Sequence, residues 1–217
     1  MRAIAYTGDL LAIVNTYNRS GRSQSADYWD HPDAALVRAA IKDHYEREQE
    51  FRCCYCQQQL LSGHGRVWDA EHIVPRSIVP RFLFEPRNLA VACVDCNSTK
   101  SDTSVVTRNR RPRAYPSSSS DFTIIHPHFD HFDAHIAIYL GKIYSAKSAK
   151  GQKTIELCGL MRYAYAFGGW DAGMGDPQAV LRLASELSTI ADPAAQRVKL
   201  MELVLIAQVQ LSRALLE

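Results

Sequence analysis

The sequence has no apolar run long enough to cross a membrane. None of its stretches approaches the roughly 18 to 20 apolar residues that a spanning helix needs. The N-terminal stretch MRAIAYTGDLLAIVNTYN lacks the small-residue cleavage pattern of a signal peptide, and Asp9 interrupts its apolar residues. We therefore expect no membrane association and a cytoplasmic location.

The chain also lacks a strong net charge and any internal repeat. It has 25 Lys and Arg against 23 Asp and Glu, a net charge of +2, so the whole molecule is not a strongly basic nucleic-acid binder. Residues 51–113 differ, because ten Lys and Arg stand there against five Asp and Glu. That local surplus has the sign needed to contact a phosphate backbone. A chain of 217 residues, 47% of them hydrophobic, can bury one sizeable domain or a small domain with an appendage.

Helical patterns predominate at the two ends of the chain. Asp30, Pro32 and apolar residues at helical spacing predict a helix over residues 28–50. Residues 108–121, rich in Arg, Pro and Ser, are typical of a linker or mobile loop. The elements expected after it are strands over 122–125 and 135–140, a turn at Gly141, a helix over 154–167, and helices that begin at Asp176-Pro177 and Asp192-Pro193.

Four of the six cysteines form two C-x-x-C pairs, Cys53 with Cys56 and Cys93 with Cys96. Each pair brings two sulfurs within reach of one tetrahedral Zn²⁺, and two pairs complete a four-sulfur site. A redox dithiol is the alternative, but one pair would suffice for it and no thioredoxin-like pattern surrounds either pair. We predict a structural zinc ion with no open coordination position, and we expect Cys54 to be a spare thiol packed inside.

Polar residues stand between and directly after the cysteine pairs. Taken singly they have ordinary explanations, since an acid beside a histidine is usually solvated and Asn97 could cap a helix. Taken together they follow a pattern that reads F-x-C-x-Y-C, D-x-E-H-I-V-P, N-L and C-x-x-C-N-x-x-K in this order.

This pattern, over residues 51–104, resembles the HNH nuclease family in its zinc-bracketed ββα-metal form. The resemblance implies an α+β fold with a zinc-stabilised ββα-metal core, preceded by a helix and followed by a short β region and a helical C-terminal subdomain. The family's His, Asn and His fall on His72, Asn88 and Asn97, so the last is a variant. The acid before His72 is Glu71, where Asp or His is more usual.

The resemblance assigns roles that fit the chemistry of phosphodiester hydrolysis. His72 is the predicted general base, because an imidazole of ordinary pKa accepts a proton at neutral pH. Glu71 and Asn97 are the predicted ligands of a catalytic Mg²⁺ or Mn²⁺, with Asp69 as a further candidate. Neighbouring side chains on a strand point to opposite sides, so His72 and Glu71 can both serve the site only if the strand ends or bends there.

The remaining candidates position or bind the substrate. By the resemblance, Asn88 holds the loop that orients His72. Lys100 and Arg76 are predicted phosphate contacts in the basic region. The histidines within residues 126–135 form either a second metal site, a part of the cleft, or a loop bonded to backbone, and the sequence favours the loop.

We expect four parts along the chain: an N-terminal segment with a lead-in helix (1–50), the nuclease domain (51–107), a basic linker or loop (108–121), and a hairpin with a helical region (122–217). The last part resembles, more weakly, HNH effectors of bacterial anti-phage systems (Septu, retron-linked and Zorya). These resemblances imply an effector nuclease on DNA of low sequence specificity, with a protein partner on the C-terminal helices. The alternative is a catalytically silent zinc-bracketed module that binds nucleic acid or recruits a partner.

Overall fold

The structure, a computed structural model, describes residues 1–21, 24–60, 67–108, 111–139, 141–163, 183 and 185–214. The fold is α+β, with small two-stranded sheets. The α-helices whose two ends are both described are α1 (Gly8–Arg19), α2 (Ala35–Glu48), α3 (Val94–Lys100), α4 (Phe132–His135), α5 (Ala149–Leu157) and α6 (Pro193–Ala214). Its strands are β1 (Trp68–His72), β2 (Leu89–Cys93), β3 (Ile136–Tyr139) and β4 (Ile143–Ala146). The chain divides into two compact units, Met1–Leu160 and Met161–Glu217.

The first sheet pairs β1 with β2 in antiparallel register, with His72 opposite Leu89. Every residue of β2 is buried, because its apolar side chains are covered on both faces. α3 follows β2 without a loop and contacts both strands. β1 ends at His72. The strand therefore ends where the sequence indicates that it must end or bend for the side chains of Glu71 and His72 to serve one site.

The helix predicted over residues 28–50 is present, but its predicted start is wrong. α2 begins at Ala35 and is preceded by two short 3-10 helices, Ala26–Asp30 and Pro32–Ala34. Ser25 caps the first by accepting from the Asp27 backbone N–H, and His31 caps the second by accepting from the Asp33 backbone N–H. Asp30 therefore does not cap α2. Its carboxylate instead pairs with Arg76 across the fold.

The predicted β-hairpin is confirmed, and the predicted strand over 122–125 is wrong. β3 pairs with β4 around Gly141, whose φ of +69° suits a turn glycine. Phe122 makes only an isolated bridge with Val106, and the Ile125 N–H donates to the Thr154 hydroxyl of α5 and not to a neighbouring strand. The hairpin lies in the first unit.

The helix predicted over 154–167 is interrupted in the structure: residues 158–160 form a turn, residues 161–163 are helical again, and residues 164–167 lie outside the described residues. α5 starts at Ala149 because Ser148 caps it, and it ends at Leu157, just before Gly159 with a φ of +61°. The start at Asp192-Pro193 is confirmed, since α6 begins at Pro193 and the Asp192 carboxylate accepts from two N–H groups of its first turn. The start at Asp176-Pro177 lies outside the described residues. Among the helices that are described, none has the length and apolar character to span a bilayer.

Candidate zinc centre and active site

The structure brings the four predicted cysteines together. Their sulfurs lie within 4.8 Å of one another, all four residues are buried, and Cys56 Sγ is 3.9 Å from Cys93 Sγ. Sulfurs about 2.3 Å from a tetrahedral zinc ion stand about 3.8 Å apart. The cluster could therefore hold one zinc ion. Cys54 is buried outside this cluster, as the sequence predicted for a spare thiol.

Several contacts fasten the cluster to the rest of the first unit. The Cys93 backbone N–H donates to Cys53 Sγ at 3.3 Å, which couples the two pairs. The Cys54 N–H donates to the carbonyl of Val91 in β2. From the hairpin, the Tyr144 hydroxyl donates to the Cys56 carbonyl at 2.6 Å. The first cysteine pair, β2 and the hairpin thus meet at one point.

A cavity of about 390 Å³ opens beside the end of β1. The residues that line it come from the turn before α2, from β1 and the loop after it, and from α3. All the sequence-predicted catalytic and contact residues except Asn88 are among them: Asp69, Glu71, His72, Arg76, Asn97 and Lys100.

His72 is held at the wall of this cavity by a backbone carbonyl. Its Nε2 lies 3.0 Å from the carbonyl oxygen of Leu83. A carbonyl only accepts, so Nε2 carries the proton and Nδ1 keeps the lone pair. The ring of Trp29 stands edge-on to the imidazole, with 4.5 Å between ring centroids. Burial lowers the pKa of His72 to about 3, and the charges of Arg76 and Lys100 act in the same direction. The ring is therefore neutral at neutral pH.

Asp69 and Asn97 face each other between β1 and α3. Asn97 Nδ2 donates to Asp69 Oδ2 at 2.8 Å. α3 begins at Val94, so Asn97 lies inside the helix and does not cap it. Both side chains are half-buried and line the cavity. Carboxylate and amide oxygens are the hard donors that Mg²⁺ prefers.

Glu71 has a different environment from Asp69. Its Oε1 accepts from the Tyr55 hydroxyl at 2.9 Å and lies 2.6 Å from Lys100 Nζ. The side chains of Glu71 and Lys100 are only 2% and 1% exposed, so their charges face each other and not solvent. Lys100 Nζ also donates to the His72 carbonyl at 3.2 Å. The predicted ligand and the predicted phosphate contact are thus bound to one another.

Lys100→Met is expected to lower the free energy of unfolding by about 3 to 5 kcal/mol, because it leaves the Glu71 carboxylate buried without its cation. The double variant Glu71→Met/Lys100→Met should recover most of that loss, since it removes both charges. Urea denaturation of the three proteins measures this coupling.

The matched control is an exposed pair, Arg47 with Asp43 on α2, whose side chains are 72% and 59% exposed. Arg47→Met should change stability by no more than about 0.5 kcal/mol. Equal losses for Lys100→Met and Arg47→Met would show that the buried pair is not coupled.

Asn88 is fully buried and binds the loop that joins β1 to β2. Its Oδ1 accepts from the Val74 N–H at 2.7 Å, and its Nδ2 donates to the carbonyls of Val74 and Phe82 at 3.1 Å. The Asn88 carbonyl accepts from the Ile73 N–H. Leu83, whose carbonyl holds His72, lies in the same loop. Asn88 therefore sets the position of the imidazole without lining the cavity.

We expect Asn88→Ala to lower the free energy of unfolding by about 3 kcal/mol, because three side-chain hydrogen bonds are lost and the Val74 N–H stays buried without an acceptor. Thermal or urea denaturation measures the change. Asn18→Ala, at an exposed position on α1, is the control and should be nearly neutral. A loss for Asn88→Ala no larger than for Asn18→Ala contradicts the expectation.

Arg76 is the most accessible of the predicted basic contacts in the cavity, and it bridges to the turn before α2. Its Nη1 donates to the Ala26 carbonyl at 2.8 Å and lies 3.0 Å from Asp30 Oδ2. Trp29 and Asp30 therefore belong to the cavity, although sequence reasoning did not select them as site residues. No local sequence pattern indicates that Trp29 and Asp30 line the cavity. They reach it only through tertiary packing against residues that are more than forty positions later in the chain.

The imidazole rings of His126, His128 and His135 each have hydrogen-bond partners within the fold. The backbone N–H of His128 donates to His126 Nδ1 at 3.2 Å, so Nδ1 is an acceptor without a proton. The ring proton of His126 is therefore on Nε2, which lies 2.8 Å from the Tyr115 oxygen. His128 Nε2 lies 2.9 Å from the Leu89 carbonyl, and His135 Nδ1 lies 2.7 Å from the Ser148 hydroxyl. The favoured loop interpretation agrees with these contacts. Within the described parts of the chain, the four cysteines are the one group of three or more His, Cys, Asp or Glu side chains that lie close enough to share a metal ion.

Acid is expected to destabilise the first unit through His126. Burial lowers its pKa to about 3, below the ordinary value near 6.5 that holds in the unfolded chain. The unfolded state therefore binds more protons below pH 6.5, and stability is lost as pH falls through this window. The loss reaches about 1.4 kcal/mol per pH unit, or about 2 kcal/mol at pH 5.

Urea denaturation at pH 7 and pH 5, with zinc present, measures this dependence. His126→Gln removes the titrating ring and should flatten the profile by the same amount. A profile that His126→Gln leaves unchanged would rule out His126 as its origin.

Comparisons of the sequence and of the structure with known proteins identify no relative of this chain. No protein-family model, no curated protein and no solved structure matches this chain. The functional conclusion therefore depends on the geometry of the cavity and of the cysteine cluster.

Proposed function

We propose that this chain is a metal-dependent endonuclease of the HNH type, which hydrolyses phosphodiester bonds in DNA. One observation carries the proposal: a histidine whose tautomer is fixed by a backbone carbonyl stands at the wall of a cavity that also presents Asp69 and Asn97. The antiparallel pair β1 and β2 followed by α3 supports the ββα arrangement. Cys53, Cys56, Cys93 and Cys96 would hold a structural zinc ion at its base.

His72 acts as the base in this proposal. Its Nδ1 lone pair accepts a proton from the attacking water, while Nε2 stays bonded to Leu83 and keeps the ring in place. Burial lowers the pKa of His72 to about 3, and the negative charge of a phosphate in the cavity raises that pKa and makes the imidazole a better acceptor. Arg76, at the cavity wall, is the residue that contacts this phosphate once it leaves Asp30.

The donor set of the cavity fits a hard divalent cation. Mg²⁺ is commonly held by one or two protein oxygens and keeps several waters, and Asp69 and Asn97 supply oxygens of this kind. Mn²⁺ takes the same ligands. When bound, such an ion neutralises charge on the phosphate and on the leaving oxygen.

One observation favours the alternative, a silent module that binds nucleic acid or recruits a partner. Glu71 and Lys100 are closed in an ion pair, so two predicted contributors to catalysis do not face the cavity solvent. We retain as further proposals a role in anti-phage defence and a protein partner on the C-terminal helices, where Leu200 and Val204 of α6 are exposed.

Incubation of the zinc-loaded protein with supercoiled plasmid separates the two functions. The endonuclease converts the plasmid to nicked or linear forms with Mg²⁺ and does not do so with EDTA. A silent module retards the DNA in a gel without cutting it, and that result in Mg²⁺ would overturn the proposal. A single-stranded RNA of equal length tests the preference for DNA in the same assay.

A further inference from the structure

Glu71, Lys100 and Tyr55 form a closed polar cluster at the wall of the cavity, where Glu71 and Lys100 are lining residues with almost no exposed side-chain surface. The Glu71 carboxylate receives the Tyr55 hydroxyl at 2.9 Å and Lys100 Nζ at 2.6 Å. Tyr55 is fully buried, as is nearly all of the other two side chains. Buried polar groups that satisfy one another in this way hold a fixed geometry, because separating them leaves a charge without a partner in a poorly solvated place. We call these three residues the Tyr55 cluster.

The Tyr55 cluster connects the segments that carry the cysteines to the strand end that carries His72. Tyr55 stands within the first cysteine pair, and Lys100 is the last residue of the helix that starts directly after Cys93. Besides its contact with Glu71, Lys100 Nζ donates to the His72 carbonyl at 3.2 Å. One ammonium group therefore fixes both the side chain of Glu71 and the backbone of the proposed base.

The ion pair between Glu71 and Lys100 conflicts with a ligand role for Glu71. A carboxylate that turned toward a cation in the cavity would leave Lys100 buried and unpaired, which is costly. Asp69 lies two residues earlier on the same side of β1, is half-buried, and already contacts Asn97. Its movement toward a cation breaks one hydrogen bond and strands no charge.

The geometry points to the Tyr55 cluster as a positioning device for His72, with the cation ligands drawn from Asp69 and Asn97 and not from Glu71. This inference rests on the proposed function and names which acidic residue of the site does which task. Glu71 holds α3 and the end of β1 in place, while Asp69 faces the cavity.

The test is a triple variant, Tyr55→Phe/Glu71→Met/Lys100→Met, which replaces the cluster with apolar groups of similar size. Such replacements usually preserve folding, which zinc content and a thermal melt check first. Mn²⁺ binding is then followed by the loss of the free ion's electron paramagnetic resonance signal. The Mn²⁺ Kd should stay within about threefold of the wild-type value, whereas Asp69→Asn should weaken it by about tenfold or more.

Plasmid cleavage by the folded triple variant gives the second readout. We expect kcat to fall by about 10- to 100-fold with KM within about threefold, because the base is displaced while substrate contacts remain. Asp43→Ala/Arg47→Ala, which removes the exposed pair on α2, should leave both constants unchanged. If the triple variant binds Mn²⁺ about 100-fold more weakly than wild type, Glu71 is a ligand of the cation. If its kcat is unchanged, the Tyr55 cluster only stabilises the fold. Either result overturns the inference.

Failure of the proposed function gives a different pattern. If the wild-type protein cuts no nucleic acid, the proposed function fails, but the ring ¹⁵N signals of His72 still report on the Tyr55 cluster. A positioning role shifts these signals in the triple variant relative to wild type and to the α2 control. Unchanged signals overturn the positioning role without reference to cleavage.

Discussion

Cys96→Ser is expected to abolish stoichiometric zinc binding and to lower the melting temperature of the first unit by at least about 15 °C. The cysteine cluster joins the first cysteine pair, β2, α3 and the hairpin, so its ion would stabilise contacts between segments that are distant in the sequence. Loss of one of four thiolates leaves a site that binds zinc far more weakly. Elemental analysis gives the zinc content, and circular dichroism gives the melting temperature.

Cys54→Ser is the matched control for that experiment. Cys54 is as buried as its neighbours but lies outside the four-sulfur cluster. The control should keep one zinc ion per chain and lose only the small stability expected for burying a hydroxyl in place of a thiol. Zinc retained at full stoichiometry by Cys96→Ser, or lost by Cys54→Ser, is incompatible with the assigned ligand set.

His72→Ala is expected to reduce the rate of plasmid cleavage by about 10³-fold, within the range usual for the loss of a positioned general base. The hydrogen bond to Leu83 leaves Nδ1 as the free lone pair, and alanine has no group that replaces it. Zinc content should remain at one ion per chain, because His72 lies outside the cysteine cluster. Cleavage is measured by gel under single-turnover conditions.

A second substitution separates catalysis from folding. Truncation of His72 opens space beside Trp29, so His72→Ala also loses packing. His72→Gln keeps a side-chain N–H that can donate to the Leu83 carbonyl but has no basic nitrogen. It should melt closer to wild type than His72→Ala does and be equally inactive. Recovery of cleavage in His72→Gln would mean that the imidazole is not the base.

The cysteine cluster and the hairpin could be predicted from the sequence because their signals are local. The spacing of Cys53 and Cys56, and of Cys93 and Cys96, itself restricts the sulfurs to one metal site. The hairpin was predictable for the same reason, since Gly141 stands between two short β-type segments.

The partners of the candidate residues could not be predicted from local patterns. Glu71 and Lys100 are 29 positions apart, and only the packing of α3 against β1 places their charges at 2.6 Å. The sequence assigned each of them a task in the cavity, because nothing in the local residues indicates that two opposite charges will bury one another. Trp29 illustrates the same limit, since its place beside His72 depends on a turn that the sequence suggested was helix.

The start of α2 shows how a cap signal can mislead. An Asp two residues before a Pro is a common helix start, but Asp30 pairs with Arg76, and His31 instead caps the short 3-10 turn Pro32–Ala34 that leads into α2. The choice between a cap and an ion pair depends on a residue 46 positions away. Local propensity alone does not contain that information.

The most direct test of the nuclease proposal compares the single-turnover nicking rates of wild-type protein and His72→Gln at matched zinc content, in Mg²⁺. We predict Mg²⁺-dependent nicking by wild type and a rate about 10³-fold lower for the variant. Equal rates for the two proteins, or no Mg²⁺-dependent nicking by a wild-type protein that carries its zinc ion, would contradict the proposal.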